Sequence, residues 1–202
     1  MLPGLSALFG IRRKQKGLNF KSLKTLYGSL KPKQRWREMI QEFYDENMSI
    51  GPIIGIHIRH GNGEEKFNNH FFGRQIQNFE EFVEDMCGKI LKHGRARYAN
   101  KFKVFLCTDS DIAVTAFKQK FPDLITRESW RPPQNMGVNF EHADQHPNSP
   151  EYVAAEALID MYLLAKCDSV FITRNTEFSS HIRYIMEKPN AIFLDHQEVS
   201  KI

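Results

Sequence analysis

Residues 52–63 read PIIGIHIRHGNG, and this stretch decides the fold. Its first seven residues, 52–58, form a short isoleucine-rich run bounded by turn residues, which is typical of a buried strand. The residues after Arg59 are polar and contain two glycines, so the chain is expected to leave the strand there and enter a loop.

Similar apolar runs follow this strand along the chain, at 103–108, 169–173 and 191–194, with a shorter one at 124–127. Apolar residues at three- and four-residue steps predict helices between them, over residues 34–46, 79–91, 111–121, 152–165 and 177–186. Parallel strands need such crossover helices, and right-handed crossovers place helices on both faces. The predicted fold class is α/β, a Rossmann-like parallel sheet with helices on both faces.

Composition excludes several classes of protein. The 202 residues are 41% hydrophobic and 26% charged, as in a globular domain. Apolar runs stay well short of the ~18–20 residues of a transmembrane helix. Cys87, Cys107 and Cys167 fit neither a disulfide framework nor a zinc ribbon. A secretory signal has its positive charges before its apolar segment, whereas here the apolar residues 1–10 precede the first positive charges. No secretory signal is therefore predicted.

The net charge of +4 conceals an uneven distribution. Residues 1–37 carry ten basic side chains and no acidic one, whereas the remaining residues carry 18 basic and 24 acidic ones. A basic arm can bind an anionic partner, but its aromatic residues are not interleaved as in a single-strand binder. We therefore favour a solvated arm and expect no nucleic-acid partner. The predicted division is a basic leader and junction helix over 1–49 and a Rossmann-like domain over 50–202.

Arg59 is the first candidate for binding chemistry. Ligands of such sheets bind at the carboxyl ends of the strands, and a guanidinium there can fork onto two diphosphate oxygens while the glycines that follow permit close approach. An ordinary surface ion pair is the alternative. The nearby His57, His60 and His70 lack acidic or cysteine ligands at metal-site spacing, so no metal is predicted.

Three further positions carry polar groups where ligands bind. Asp109 follows the second strand, where it could accept hydrogen bonds from a ligand or cap the next helix. Asp160 lies in the apolar sequence ALIDMYLLAKCD and needs a donor, either a backbone amide or an arginine such as Arg59. Ser179 and Ser180 begin a helix, a position that suits a phosphate or a cap.

Several motifs together resemble one family of glycosyltransferases. In order along the chain they are IIGIHIRHGNGE (53–64), VFLCTDSD (104–111), FPDL (121–124), RPPQ (131–134) and ALIDMYLLAKCDSVF (157–171). This set resembles the bacterial nodulation fucosyltransferases and, more distantly, the eukaryotic core α-1,6-fucosyltransferases and protein O-fucosyltransferases. The resemblance extends from about Leu30 to about Met186.

The resemblance implies the C-terminal, donor-binding domain of a two-domain GT-B enzyme. Such enzymes transfer L-fucose from GDP-fucose to O6 of N-acetylglucosamine in a chitooligosaccharide or an N-glycan-like acceptor, with inversion and without a metal or other cofactor. It implies catalytic roles for Arg59 and Asp160. Its implied donor-binding residues are His57, Arg59, His60, Gly61, Asn62, Asp109, Ser179 and Ser180. The base has no clear counterpart, although Glu64 and Glu65 follow in the loop.

Length separates the chain from that family, because only about fifty residues precede the first motif. The resemblance therefore implies the donor-binding half of such an enzyme, with the acceptor half supplied by a partner or absent. The alternative function is an inactive or partial GDP-sugar-binding module. A cytoplasmic location follows from the resemblance to the bacterial enzymes.

Overall fold

A computed structural model describes residues 20–59, 79–131, 144–173, 177–186 and 191–194. Within these ranges two helices precede the first strand, and one or two helices connect each strand to the next. Its elements are α1 (Phe20–Ser29), α2 (Gln34–Asn47), β1 (Ile53–Ile58), α3 (Phe79–Tyr98), β2 (Lys103–Thr108), α4 (Asp111–Lys120), α5 (Pro150–Lys166), β3 (Ser169–Thr173), α6 (Glu177–Ile185) and β4 (Ala191–Leu194).

The four strands form one parallel sheet in the order β2-β1-β3-β4. Strand β1 is central, and the chain first adds β2 on one side and then returns to add β3 on the other. The strand order therefore reverses beside β1, and open α/β sheets bind ligands at such a reversal, at the carboxyl ends of the strands. The observed sheet confirms the predicted α/β class and the strands predicted at 52–58, 103–108, 169–173 and 191–194.

Alternate residues of β1 enter two different cores. Ile54, Ile56 and Ile58 pack with residues of α3 and with Phe117 of α4 on one face of the sheet. Ile53, on the other face, belongs to the core that contains residues of α2, α5 and α6. Because successive side chains of a strand point to opposite faces, this pattern places helices on both sides of the sheet, as predicted.

Gly55 lets α5 lie close to the central strand. A Cβ at this position would lie 2.8 Å from Cys167 Sγ and 2.9 Å from Leu164 Cδ2. Asp168, which follows α5, holds the same junction, because its carboxylate accepts a hydrogen bond from the Ile53 amide at 2.9 Å. The close approach brings α5 against the same face of β1 that carries His57.

Helix α1 was not predicted from the sequence, which gives only weak signals before residue 34. Its buried residues are Leu23 and Tyr27, which are four apart and pack with Tyr184 of α6. Lysines and Gly28 interrupt the rest of the pattern, so α1 is held mainly by packing on α6, where the Tyr27 ring contacts the rings of His181 and Tyr184. None of the helices in the described ranges is long and apolar enough to span a membrane.

Two other elements differ from their predicted bounds. Helix α3 continues to Tyr98, whereas the sequence predicted an end near residue 91. The prediction was too short because the last turns are basic and lack an apolar stripe. Arg95 and Arg97 in the last turn suit a helix C-terminus. The predicted strand at 124–127 is a single parallel bridge, in which Ile125 pairs with Phe105 of β2.

Candidate functional site

Arg59 and Asp109 meet at the carboxyl ends of two adjacent strands. Ile58, the last residue of β1, pairs in register with Thr108, the last residue of β2. The residue after each strand therefore lies at the same level of the sheet, and Arg59 Nη1 lies 2.5 Å from Asp109 Oδ2. Both side chains are largely buried, at 20% and 8% exposure. Sequence analysis selected both residues but not their pairing.

Ser110, not Asp109, caps the helix after β2. Its hydroxyl accepts a hydrogen bond from the Ala113 amide at 3.3 Å, in the first turn of α4. The sequence left open whether Asp109 would cap this helix or face a ligand. With the capping done by Ser110, the Asp109 carboxylate is directed to Arg59 instead.

His57 lies beside this ion pair on the face of β1 that packs against α6. Its ring stacks on Phe178, with centroids 4.3 Å apart and an interplanar angle of 24°. Burial lowers the pKa of His57 from 6.5 to about 4, although Asp109 raises it in part. The imidazole is therefore neutral at pH 7 and adds no positive charge to the site.

Asp160 has an arginine partner, as its apolar surroundings predicted, but the partner is not Arg59. Arg127 Nε donates to Asp160 Oδ1 at 2.8 Å. Burial raises the pKa of Asp160 above its usual value, and the charge of Arg127 opposes this rise. Arg59 was the wrong choice because it is held by Asp109, whereas Arg127 follows the bridge at Ile125 and lies against α5.

The residues that surround this second pair were not among the candidate site residues, although Arg131 lies in the RPPQ motif. Glu156 Oε2 accepts from the Trp130 amide at 3.1 Å, and Glu156 Oε1 lies 3.5 Å from His146 Nε2. Arg131 Nε donates to the Thr108 carbonyl at 3.3 Å. These contacts bring the segment 127–131 to the end of β2. The available signal was the polar sequence after the predicted strand at 124–127, the same strand-end pattern that singled out Arg59.

The remaining candidates are only partly covered. Ser179 and Ser180 lie in the first turns of α6, but their side chains are outside what the structure describes. Outside the described residues altogether lie His60, Gly61, Asn62, Glu64, Glu65 and His70. Within the described ranges, no group of three or more His, Cys, Asp or Glu side chains could hold a metal ion.

Comparison with known proteins finds nodulation proteins Z among the relatives of the chain. The chain is 30% identical to nodulation protein Z of Bradyrhizobium diazoefficiens over 146 residues, which is 72% of the chain and 37% of that protein. It is 28% identical to nodulation protein Z of Sinorhizobium fredii over 179 residues, which is 88% of the chain and 52% of that protein. The chain thus spans about half or less of the length of these relatives.

Solved structures give the same result. The chain superposes on a NodZ α-1,6-fucosyltransferase soaked with GDP-fucose, with a TM-score of 0.63, 25% identity and coverage of 89% of the chain and 51% of that structure. POFUT1 in complex with GDP-fucose has a TM-score of 0.51 at 13% identity and covers 86% of the chain, which is a likeness of fold alone. The model of the nodulation protein Z (NodZ) family matches residues 20–197, and the chain therefore belongs to the NodZ family.

Proposed function

We propose that the chain binds GDP-fucose at the carboxyl edge of its sheet and supplies the donor site of an α-1,6-fucosyltransferase. The reaction is transfer of L-fucose to O6 of N-acetylglucosamine in a chitooligosaccharide or an N-glycan-like acceptor. The Arg59–Asp109 pair at the ends of β1 and β2, in a chain of the NodZ family, carries the proposal. A NodZ relative of known structure has been soaked with GDP-fucose.

Arg59 supplies the contacts to the diphosphate. A guanidinium has five N–H donors in a planar fork, and Asp109 engages Nη1. The other N–H groups of Arg59 have no partner among the residues that the structure describes and are available for two phosphate oxygens. Asp109 fixes the orientation of the fork, which lowers the entropy lost when the donor binds.

The proposed chemistry is a single inverting displacement. O6 of the acceptor forms a bond to C1 of fucose while the bond from C1 to the GDP oxygen breaks, and the O6 proton passes to a base. Negative charge develops on the departing diphosphate. Arg59, in a site largely shielded from water, offsets this charge in the transition state. This charge compensation by a side chain is the basis for proposing that the reaction needs no metal.

Other residues complete the proposed donor site. The neutral His57 ring, held by Phe178, packs at the end of β1 and is proposed to shape the donor site there. Asp160 accepts hydrogen bonds from the nucleotide through a carboxylate oxygen. The N-terminus of α6, with Ser179 and Ser180, faces the phosphates, because amides there favour an anion. His60, Gly61 and Asn62 follow Arg59 in the loop and are proposed to contact the donor.

A binding module without turnover is the second candidate. The observation that favours it is the Arg59–Asp109 pair, which offers contacts for the diphosphate of a donor and needs no acceptor to do so. Transfer requires the acceptor to be oriented within about an ångström of the donor. We therefore propose that transferase activity also requires an acceptor site, with a partner protein as one source of it. A cytoplasmic location remains a prediction.

A transfer assay separates the two candidates. The chain is incubated with GDP-fucose, a chitooligosaccharide and a chelator, and the products are analysed by mass spectrometry and NMR, with Arg59→Ala as the matched variant. Fucosylated product of inverted configuration that disappears in Arg59→Ala supports the enzyme. Binding of GDP without product supports the binding module. Transfer that is unchanged in a folded Arg59→Ala variant contradicts the proposed mechanism.

A further inference from the structure

We propose that Arg127 is a positioning residue that holds Asp160 in place for contact with the nucleotide. This inference rests on the proposed function and adds a residue to it. The proposal is based on the hydrogen bonds between Arg127, which follows Ile125, and helix α5. Arg127 does not itself contact the donor in this account. It acts through Asp160.

Two hydrogen bonds to helix α5 fix the guanidinium of Arg127. Nε donates to Asp160 Oδ1 at 2.8 Å, and Nη2 donates to the Glu156 carbonyl at 3.1 Å. The Arg127 side chain is only 11% exposed, and that of Asp160 only 16%. Two hydrogen bonds to one helix, four residues apart, fix the plane of the guanidinium and therefore the direction of the carboxylate.

The backbone that delivers Arg127 is also fixed. The Ile125 amide donates to the Val104 carbonyl at 2.8 Å, and the Leu106 amide donates to the Ile125 carbonyl at 2.9 Å. Thr126 Oγ1 donates to the Leu106 carbonyl at 3.2 Å. Arg127 therefore starts from the edge of the sheet, next to β2, and reaches α5 from a rigid position. A flexible loop would place a guanidinium less accurately.

The pair leaves part of Asp160 available. Oδ1 is occupied by Arg127, whereas Oδ2 has no partner among the residues that the structure describes. The Asp160 carbonyl faces Cys107 Sγ at 3.9 Å, one residue from the carboxyl end of β2. Asp160 thus lies near the strand ends with one oxygen free to accept an N–H or O–H of the ligand.

The ionised form of the Asp160 carboxyl group is stabilised by the nearby arginines and disfavoured by burial. Burial raises the pKa of Asp160, and Arg127 and Arg131 lower it. The other titratable groups near the pair are Cys107 on β2, Glu156 on α5 and His146, which faces Glu156. Removing Arg127 leaves a buried carboxylate without its nearest cation, so the carboxyl group takes up a proton more readily. A protonated Asp160 is a poorer acceptor for ligand donors.

The test is the affinity for GDP as a function of pH, measured by calorimetry on the full chain. Arg127→Met is expected to weaken GDP binding about tenfold at pH 6.5, because a charge-assisted contact is lost. The deficit should shrink as the pH is raised, because a higher pH favours the ionised form of the Asp160 carboxyl group. Titration of the diphosphate is common to both proteins and cancels in their ratio. Arg35→Met, which removes an exposed partner of Glu151, serves as the control and should bind as wild type does.

A double-mutant cycle distinguishes positioning from general destabilisation. In an Asp160→Asn background, Arg127→Met should change GDP affinity little, because the carboxylate it orients is gone. If Arg127→Met does not fold, Arg127→Lys replaces it. Lysine keeps the charge but not the two directed hydrogen bonds, so we expect weaker binding with the pH profile of the wild type.

The outcomes separate this inference from the proposed function. Wild-type chain that is folded and does not bind GDP overturns both. Wild-type binding together with unchanged affinity in Arg127→Met or Arg127→Lys overturns the positioning role alone. An equal loss in the Asp160→Asn background also overturns it, because the effect would then not pass through Asp160.

Discussion

Arg59 and Asp109 form an ion pair because two parallel strands end at the same level. Fifty residues separate them along the chain, and the pairing of Ile58 with Thr108 removes that separation. The pair is largely buried, so its attraction is screened less by water and salt than that of a surface pair. An arginine held in this way presents its free N–H groups in a fixed direction.

Loss of Asp109 should therefore weaken binding through Arg59. We expect Asp109→Asn to lower the affinity for GDP about tenfold, because Arg59 loses its charged partner and its fixed orientation. Titration calorimetry measures the effect. Asp85→Asn removes a half-exposed carboxylate paired with Lys89 on α3 and is the matched control, expected to bind as wild type does. Equal affinities of Asp109→Asn and wild type would show that Asp109 does not orient Arg59.

His57 should make the fold sensitive to acid. Its pKa is about 4 in the folded chain against 6.5 in a model peptide, so the unfolded chain binds more protons between these values. This contribution to stability is complete above pH 6.5 and is lost as the pH falls toward 4, at most about 3 kcal/mol. Urea unfolding across this range should show a flatter pH profile for His57→Gln than for wild type. Parallel profiles would contradict a neutral, buried His57.

Single residues were predictable where their position in an element was clear. Arg59 and Asp109 follow apolar runs. Asp160 lies among apolar residues, so its carboxylate needs a hydrogen-bond donor. The identity of that donor was not predictable, because Arg127 reaches Asp160 only through the pairing of Ile125 with Phe105. The cluster of Glu156, His146 and Trp130 likewise depends on tertiary contacts that no local pattern encodes.

At the scale of elements, the packing of α5 against β1 depends on Gly55. Gly55→Ala places a methyl group within 3 Å of Cys167 and Leu164, so α5 or its side chains must shift. We expect a loss of about 1–3 kcal/mol in the free energy of unfolding, the usual cost of overpacking. Urea denaturation monitored by circular dichroism measures it.

Gly88 provides the matched control for this substitution. It lies in α3, and a Cβ there would meet nothing within 4 Å. Gly88→Ala should therefore stabilise the chain by roughly 0.5–1 kcal/mol, as alanine favours helix. A Gly55→Ala variant as stable as Gly88→Ala would contradict the close approach of α5.

Elements with strong local patterns were predicted almost to the residue, whereas weakly patterned ones were not. Strand β2 is a continuous apolar run and helix α2 has apolar residues at helical spacing, and both elements begin where expected. Helix α1 was missed because, among the side chains of this helix that the structure describes, Leu23 and Tyr27 alone are buried. Both pack with Tyr184, far along the chain. The last turns of α3 are polar, so nothing in the sequence distinguishes them from a loop.

At the scale of the whole molecule, α2 is part of the main core. Trp36 and Ile40 are buried together with residues of β1, α5 and α6. Trp36 also meets Tyr152 edge-on, with ring centroids 5.0 Å apart. The division at residue 49, with a leader before it and a sheet domain after it, stays a prediction. The side chains of α2 nevertheless pack in the same core as residues of the sheet.

Truncation of Trp36 tests how much the sheet depends on α2. We expect Trp36→Ala to lower the free energy of unfolding by about 3–5 kcal/mol, because a buried aromatic leaves a large cavity. Met39→Ala on the same helix removes a side chain that is 39% exposed and should change stability by less than about 0.5 kcal/mol. Similar, small effects of both variants would mean that α2 is only loosely attached.

The most direct test of a donor site in which Arg59 binds the diphosphate is calorimetric titration of the full chain with GDP, without added metal, beside Arg59→Ala. We expect binding by the wild type and a loss of about a hundredfold in a folded Arg59→Ala variant, because its bidentate contact to the diphosphate is gone. A folded wild type that does not bind GDP would contradict this expectation. So would an Arg59→Ala variant that binds GDP as tightly as the wild type.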